Sequence, residues 1–174
     1  MKRTLALALL ASGALALSAC GQKRAPESLP PEPGPQAPVA ANNGDYDANG
    51  NYIGPGSQAD LRRTAGSDRV FFDFDSYGLD DTDRATLTRQ ASWLAQYPNV
   101  NVTIEGHADE RGTRDYNLAL GERRANAAKN FLASLGVAPG RMSVVSYGKE
   151  RPEALGSDEQ SWAQNRRAVT MVIR

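Results

Sequence analysis

Disulfide bonding is excluded at once, because the 174-residue chain contains a single cysteine, Cys20. A single histidine, His107, leaves too few His and Cys side chains for a zinc centre, which takes several such ligands. Charge of one sign is also missing. Lys and Arg total 20 and Asp and Glu total 20, so no net field draws the chain to nucleic acid or anionic lipid. Removing residues 1–19 takes away Lys2 and Arg3 and no acid, leaving 18 basic against 20 acidic side chains. Long apolar runs are absent beyond the first 19 residues. The length suits one domain with appendages.

The start of the chain carries an address. Lys2 and Arg3 precede an apolar stretch from Leu5 to Leu17, interrupted only by Ser12-Gly13. That is the pattern of a secretory signal and is too short for a stable transmembrane span. It ends in Leu17-Ser18-Ala19-Cys20, followed by Gly21, and this tetrapeptide resembles a bacterial lipobox. In such a motif the cysteine is acylated and becomes the first mature residue, so residues 1–19 are expected to be a lipoprotein signal peptide. The alternative is plain cleavage near Ala16 or Ala19, which strands a free thiol in an oxidising compartment, an outcome secreted proteins avoid. Each buried acyl methylene contributes about 0.8 kcal/mol, so two or more chains anchor firmly. By the sorting rule of enterobacteria, Gly21 in place of Asp implies the outer membrane.

Residues 20–66 are expected to form an acylated, proline-rich flexible tether. Pro26, Pro30, Pro31, Pro33, Pro35, Pro38 and Pro55 lie among Ala, Asn, Gly and Gln. Proline removes donors and favours extended backbone, and sparse apolar residues cannot offset ordering entropy. About 45 such residues span on the order of 140 Å if extended, and roughly 35–40 Å as a coil. Asp45-Tyr46-Asp47-Ala48-Asn49-Gly50 imitates the first half of a calcium loop. Gly56 stands where the bidentate Glu belongs, and the expectation there is a solvated turn.

Composition changes at Arg69, and residues 67–174 are expected to be the folded domain. Residues 70–74 form an apolar strand. Asp80 or Asp81 caps a helix running to about Tyr97, with Leu87, Ala91 and Leu94 at helical spacing and Pro98 as the stop. Residues 100–104 alternate as a half-buried strand, and a polar loop spans 106–112. A long helix from about Arg114 to Leu135 ends at Gly136. Its core stripe is read as Leu118, Ala125, Ala128, Leu132 and Leu135. Asn117, Leu120 and Arg124 share a second line offset from it. Strands at 142–146 and 168–173 flank a short helical turn at 158–165. The order β-α-β-α-β-(α)-β predicts an α/β fold, a two-layer α/β sandwich with helices on one sheet face.

Several runs then become specific. Phe72-Asp73-Phe74-Asp75-Ser76, Gly106-His107-Ala108-Asp109-Glu110-Arg111-Gly112 and Asn117-Leu118-Ala119-Leu120-Gly121-Glu122-Arg123-Arg124-Ala125 occur in order. Ser146-Tyr147-Gly148 and Asn165-Arg166-Arg167-Ala168-Val169 follow. Together, over residues 67–174, they resemble the OmpA-like peptidoglycan-binding domain family, in particular its lipid-anchored members. The family pattern often has Thr at Ala108 and Ser at Gly121.

That resemblance implies a non-catalytic protein that binds the meso-diaminopimelate of the peptidoglycan stem peptide. The end of that side chain carries an ammonium and a carboxylate on one carbon. Asp109 suits the ammonium, and Arg124 suits the carboxylate because guanidinium grips it with two parallel bonds. The resemblance adds Phe74, Asp75 and Ser76, partly through backbone groups, with Asn117 and Leu120 as the wall. Removing either charge is expected to abolish binding and leave the domain folded. Plainer roles stand beside these. Asp109 and Arg124 pair with each other in one alternative, and Asn117 makes a helix-start hydrogen bond in another. His107 is expected to be a structural hydrogen-bonding histidine. Arg166 is expected to tie the last strand to the core, and Trp93 and Trp162 to pack or lie at a rim. No cofactor or metal is expected.

The implied partners are peptidoglycan, the outer membrane through Cys20, and the periplasmic propeller protein of the Tol system, TolB, with a part in envelope integrity and cell division. An anchored scaffold independent of the Tol system is one alternative. A cell-wall hydrolase is another, opposed by the missing zinc ligands and nucleophile–base pair.

Overall fold

The computed structural model describes residues 45–173. Cys20, the 1–19 signal and the first half of the expected tether lie outside the described residues. The elements run α1 (Gln58–Ala65), β1 (Arg69–Phe71), α2 (Asp81–Gln96), β2 (Asn101–His107), α3 (Arg114–Ser134), β3 (Met142–Gly148), α4 (Glu159–Asn165) and β4 (Arg167–Ile173). Their sheet order is β1-β4-β2-β3. β2 and β3 are parallel, as a crossover through α3 requires, and β4 is antiparallel to both β1 and β2. Val102 and Ile104 face the helices fully buried, while Thr103 and Ser143 hydrogen-bond at 2.8 Å on the open face. The architecture is the expected two-layer α/β sandwich.

Caps set the helix starts. Asp80 accepts from the backbone N–H of Asp83 at 2.7 Å, and Asp83 returns the bond to Asp80, a reciprocal capping box. Thr113 caps α3, and Gly136, at φ 97°, follows its last turn in the left-handed region. A Cβ on Gly106 of β2 would meet the Gly121 carbonyl oxygen at 1.8 Å, so α3 lies directly on the strand. Just beyond, the Ser146 hydroxyl donates to the Leu118 carbonyl at 2.7 Å, which docks the end of β3 on the same helix.

Three expectations are corrected. The tether does not reach residue 66, because α1 is a folded helix with Leu61 and Ala65 fully buried. Polar bonds hold it. Ser57 caps it through the Asp60 N–H, and Asp60 accepts from the Trp93 indole at 2.9 Å. Gln58 bonds the β4 backbone, donating to the Thr170 carbonyl at 3.0 Å and accepting from the Val172 N–H at 2.7 Å. Burial pushes the Asp60 pKa up, but bonds from Gly56, Trp93, Tyr97 and Arg63 outweigh it and bring it to about 2. The clasp is therefore complete above the ordinary carboxylate pKa and loosens as pH falls through about 2. Leu61→Ala should cost about 2–5 kcal/mol in chemical denaturation, as core leucines do. A tether leucine would cost under about 0.5 kcal/mol.

The first strand also ends early, at Phe71, because the carbonyls of residues 72, 73 and 76 turn toward buried arginines. The buried arc of α3 differs too. Leu135 is 42% exposed and Leu118 only half-buried, whereas Asn117, Leu120 and Arg124 are buried with Ala125, Ala128 and Leu132. The expected side line is part of the core face, because α3 packs along the whole β2–β3 step. In the turn before α1, Asp47 accepts from the N–H groups of Asn49 and Asn51 at 2.9 and 2.8 Å, so its oxygens close the loop on itself.

Candidate functional site

A cavity of about 170 Å³ opens where the loop after β1, the loop after β2 and the first turns of α3 meet. Phe74, Asp75, Asp109, Asn117, Leu120 and Arg124, all anticipated from the sequence, line it. Arg111, Gly112 and Tyr116 line it as well and were not anticipated. Ser76 does not line it. Its carbonyl accepts from Arg124 Nε at 2.8 Å, and its hydroxyl accepts from the Gly78 N–H, so it shapes the loop.

Arg124 is 1% exposed. Besides the Ser76 bond, Nη1 donates to the His107 carbonyl at 2.9 Å and Nη2 to the Asp73 carbonyl at 3.1 Å. These three bonds wrap residues 73–76 around the guanidinium, and Asp75 takes φ 53°, rare for a residue with a Cβ. A guanidinium carries five N–H groups, so one hydrogen on each Nη stays available. Burial lowers its pKa to about 10, the nearby Arg166 adding to the effect and Asp109 opposing it, and it remains charged at neutral pH.

Asp109 does not pair with Arg124. Its carboxylate accepts a two-point grip from Arg111, 3.2 Å to Nε and 2.7 Å to Nη2, plus the Arg111 N–H at 3.1 Å. Arg166 Nη1 stands 3.6 Å away. Burial favours the neutral acid, but the Arg111 bonds and both positive charges outweigh it and hold the pKa below the usual value. The Arg111 guanidinium lies between two rings, 4.3 Å from the centre of Phe74 and 4.1 Å from that of Trp162. Trp162 donates to Glu110 at 2.9 Å, which places it at the rim, while Trp93 is fully buried. The Tyr116 hydroxyl donates to Asp75.

Asn117 donates to the Arg111 carbonyl at 2.8 Å, while its backbone N–H makes the helix-start bond to Thr113. It therefore holds the loop and lines the cavity together. Arg166 donates to the Phe72 carbonyl at 2.9 Å and to Glu159 at 2.7 Å, tying the start of β4 to the end of β1. His107 departs from expectation, because neither ring nitrogen has a partner at normal hydrogen-bond geometry among the described residues. The ring is buried beside Tyr147, with Nε2 3.7 Å from Glu105, and desolvation, aided by Arg167 and Arg151, lowers its pKa to about 4. Its backbone carbonyl serves the site instead. The cavity lining thus holds two carboxylates, Asp75 and Asp109, and two guanidiniums, Arg111 and the buried Arg124, with Leu120 and aromatic rings as its apolar wall. That arrangement suits a small zwitterion with an aliphatic stem.

The OmpA family model matches residues 71–166, which contain every cavity-lining residue. A peptidoglycan-associated lipoprotein of Rhizobium meliloti is 58% identical over 118 residues, covering 68% of this chain and 66% of that protein. One from Brucella melitensis is 46% identical over 168 residues, 97% of this chain and 90% of its own length. The crystal structure of the peptidoglycan-associated lipoprotein from Burkholderia pseudomallei superposes with a TM-score of 0.61 at 49% identity, over 62% of this chain and 92% of that one. Fold, motifs and relatives agree, and the chain belongs to the OmpA family, among its peptidoglycan-associated lipoproteins.

Proposed function

We propose that this protein links the outer membrane to the cell wall without catalysing a reaction. It binds peptidoglycan non-covalently through the meso-diaminopimelate of the stem peptide, and acyl chains on Cys20 anchor it. The observation that carries the reading is that one small cavity is lined by carboxylates, Asp109 and Asp75, and by the buried Arg124 guanidinium, whose three carbonyl bonds leave two N–H groups unused. Asp109, with Asp75 beside it, attracts the ligand ammonium. The two free Nη hydrogens of Arg124 receive the carboxylate, and Leu120 and Phe74 flank the aliphatic stem. Opposite charges at fixed separation exclude ligands bearing only one of them.

The periplasmic face, the Tol-system partner TolB and a role in envelope integrity and cell division complete the proposal. Its support is the Leu17-Ser18-Ala19-Cys20 motif and the similarity to named peptidoglycan-associated lipoproteins. Cosedimentation with purified sacculi tests the binding. The protein should pellet with sacculi and be released by soluble diaminopimelate-containing stem peptide, and pelleting that this peptide leaves untouched would contradict the assignment. Cys20→Ser should leave the pelleting intact and abolish palmitate incorporation in cells, since the anchor rests on acyl chains alone. Palmitate label in the Ser variant would overturn the lipobox reading.

A further inference from the structure

Beside the cavity, the outer surfaces of α2 and α3 leave a groove of about 900 Å³ that includes Tyr77, Arg84, Arg123 and Phe131. Arg123 stands where groove and cavity adjoin. Its guanidinium carbon is 5.7 Å from the ring centre of Tyr77, in the groove, and 5.9 Å from that of Tyr116, in the cavity wall. The two tyrosines are 52% and 46% exposed. Arg123 itself is exposed and, among the described residues, makes no hydrogen bond and no ion pair. Glu122 lines the same groove outside ion-pair distance of it. Of the other arginines, Arg111 is committed to Asp109, Arg124 to three carbonyls and Arg166 to Glu159, while Arg84, in the groove, donates to the Leu79 carbonyl at 3.3 Å and lies by the Phe131 ring, away from the cavity lining. An uncommitted cation flanked by two rings at the lip of a binding cavity is poised for an anion on the part of the ligand that leaves the cavity.

The stem peptide supplies one. The glutamate before diaminopimelate is joined through its γ-carboxyl, so its α-carboxylate is free and lies one residue from the group in the cavity. We propose that Arg123 is a specificity-determining residue that reads this α-carboxylate as the peptide passes from cavity to groove. The assignment rests on the stem-peptide reading of the cavity. It follows that walls in which this carboxylate is amidated are bound less well. Tyr77 and Tyr116 flank the guanidinium at cation–π distance, and its exposure leaves the contact open to screening by salt.

The test is calorimetry on the full-length protein in detergent with two peptides, L-Ala-γ-D-Glu-meso-diaminopimelate and the same peptide with the glutamate α-carboxylate amidated. Wild type should bind the carboxylate form about fivefold more tightly, the upper end for an exposed ion pair, and added salt should shrink the difference. Arg123→Gln should bind both peptides alike, and Arg123→Lys should keep part of the preference. Both variants should still favour diaminopimelate over lysine at the third position. Equal affinity of wild type for the two peptides, or a preference that survives in Arg123→Gln, overturns the role of Arg123. If wild type does not favour diaminopimelate over lysine, the reading of the cavity fails, and the role of Arg123 fails with it.

Discussion

Arg124→Ala is expected to abolish stem-peptide binding and to destabilise the domain by about 2–4 kcal/mol in the same protein, since carbonyls it serves are left without a donor. The sequence alone predicts a ligand contact whose loss leaves the fold untouched. The structure gives the side chain a second task, since its three bonds to the carbonyls of Asp73, Ser76 and His107 hold the loop that carries Phe74 and Asp75. Without the guanidinium the His107 carbonyl loses a buried donor, and the left-handed Asp75 conformation loses the bonds to its loop. Arg124→Lys keeps the charge but has no planar fork, so it should recover part of the stability and little of the binding. Thermal unfolding beside calorimetry separates the two losses. An Arg124→Ala domain that melts like wild type would show that the carbonyl bonds contribute nothing.

Asp109→Asn carries the second large effect. The amide keeps the shape and still accepts from the Arg111 N–H, but removes the charge proposed to attract the ligand ammonium. Arg111 and Arg124 are then left in the cavity lining with Asp75 as its remaining carboxylate, while Glu159 still pairs with Arg166. Affinity should fall by about 2–5 kcal/mol, roughly thirtyfold to several-thousandfold. Stability should fall less than in Arg124→Ala, because the Arg111 side chain is 33% exposed and can turn to water. Circular dichroism and calorimetry on one preparation check both statements. Near-native affinity in Asp109→Asn would assign the ammonium to Asp75.

The layout of the domain was legible where local chemistry decides it. Asp80, Gly136 and the Val102–Ile104 alternation announce helix ends and a half-buried strand in themselves. The candidate cavity was legible through long motifs, since six of the seven anticipated residues line it. What escaped depends on partners distant in sequence. α1 has few apolar residues, and its anchors, Trp93 and the Val172 backbone, lie 33 and 114 positions from Asp60 and Gln58. Arg111 is an unremarkable loop cation until Trp162, from a helix after the next strand, closes over it. The burial of Arg124 escaped because periodicity counts apolar residues, and a buried arginine satisfied by carbonyls leaves no such mark. Leu135 misled for the opposite reason, since an apolar residue at a helix end extends the stripe on paper after the core has stopped.

Asp109 and Arg124 are proposed to read the two opposite charges at the end of a diaminopimelate side chain. Calorimetric titration of the full-length protein with two stem peptides, alike except for meso-diaminopimelate or lysine at the third position, tests this reading most directly. The lysine peptide keeps the ammonium and lacks the carboxylate, so Asp109 is served and Arg124 is left unpaired in a desolvated wall. The lysine peptide should bind at least about thirtyfold more weakly. Equal affinities would contradict that reading, because Arg124 would then be a structural arginine alone.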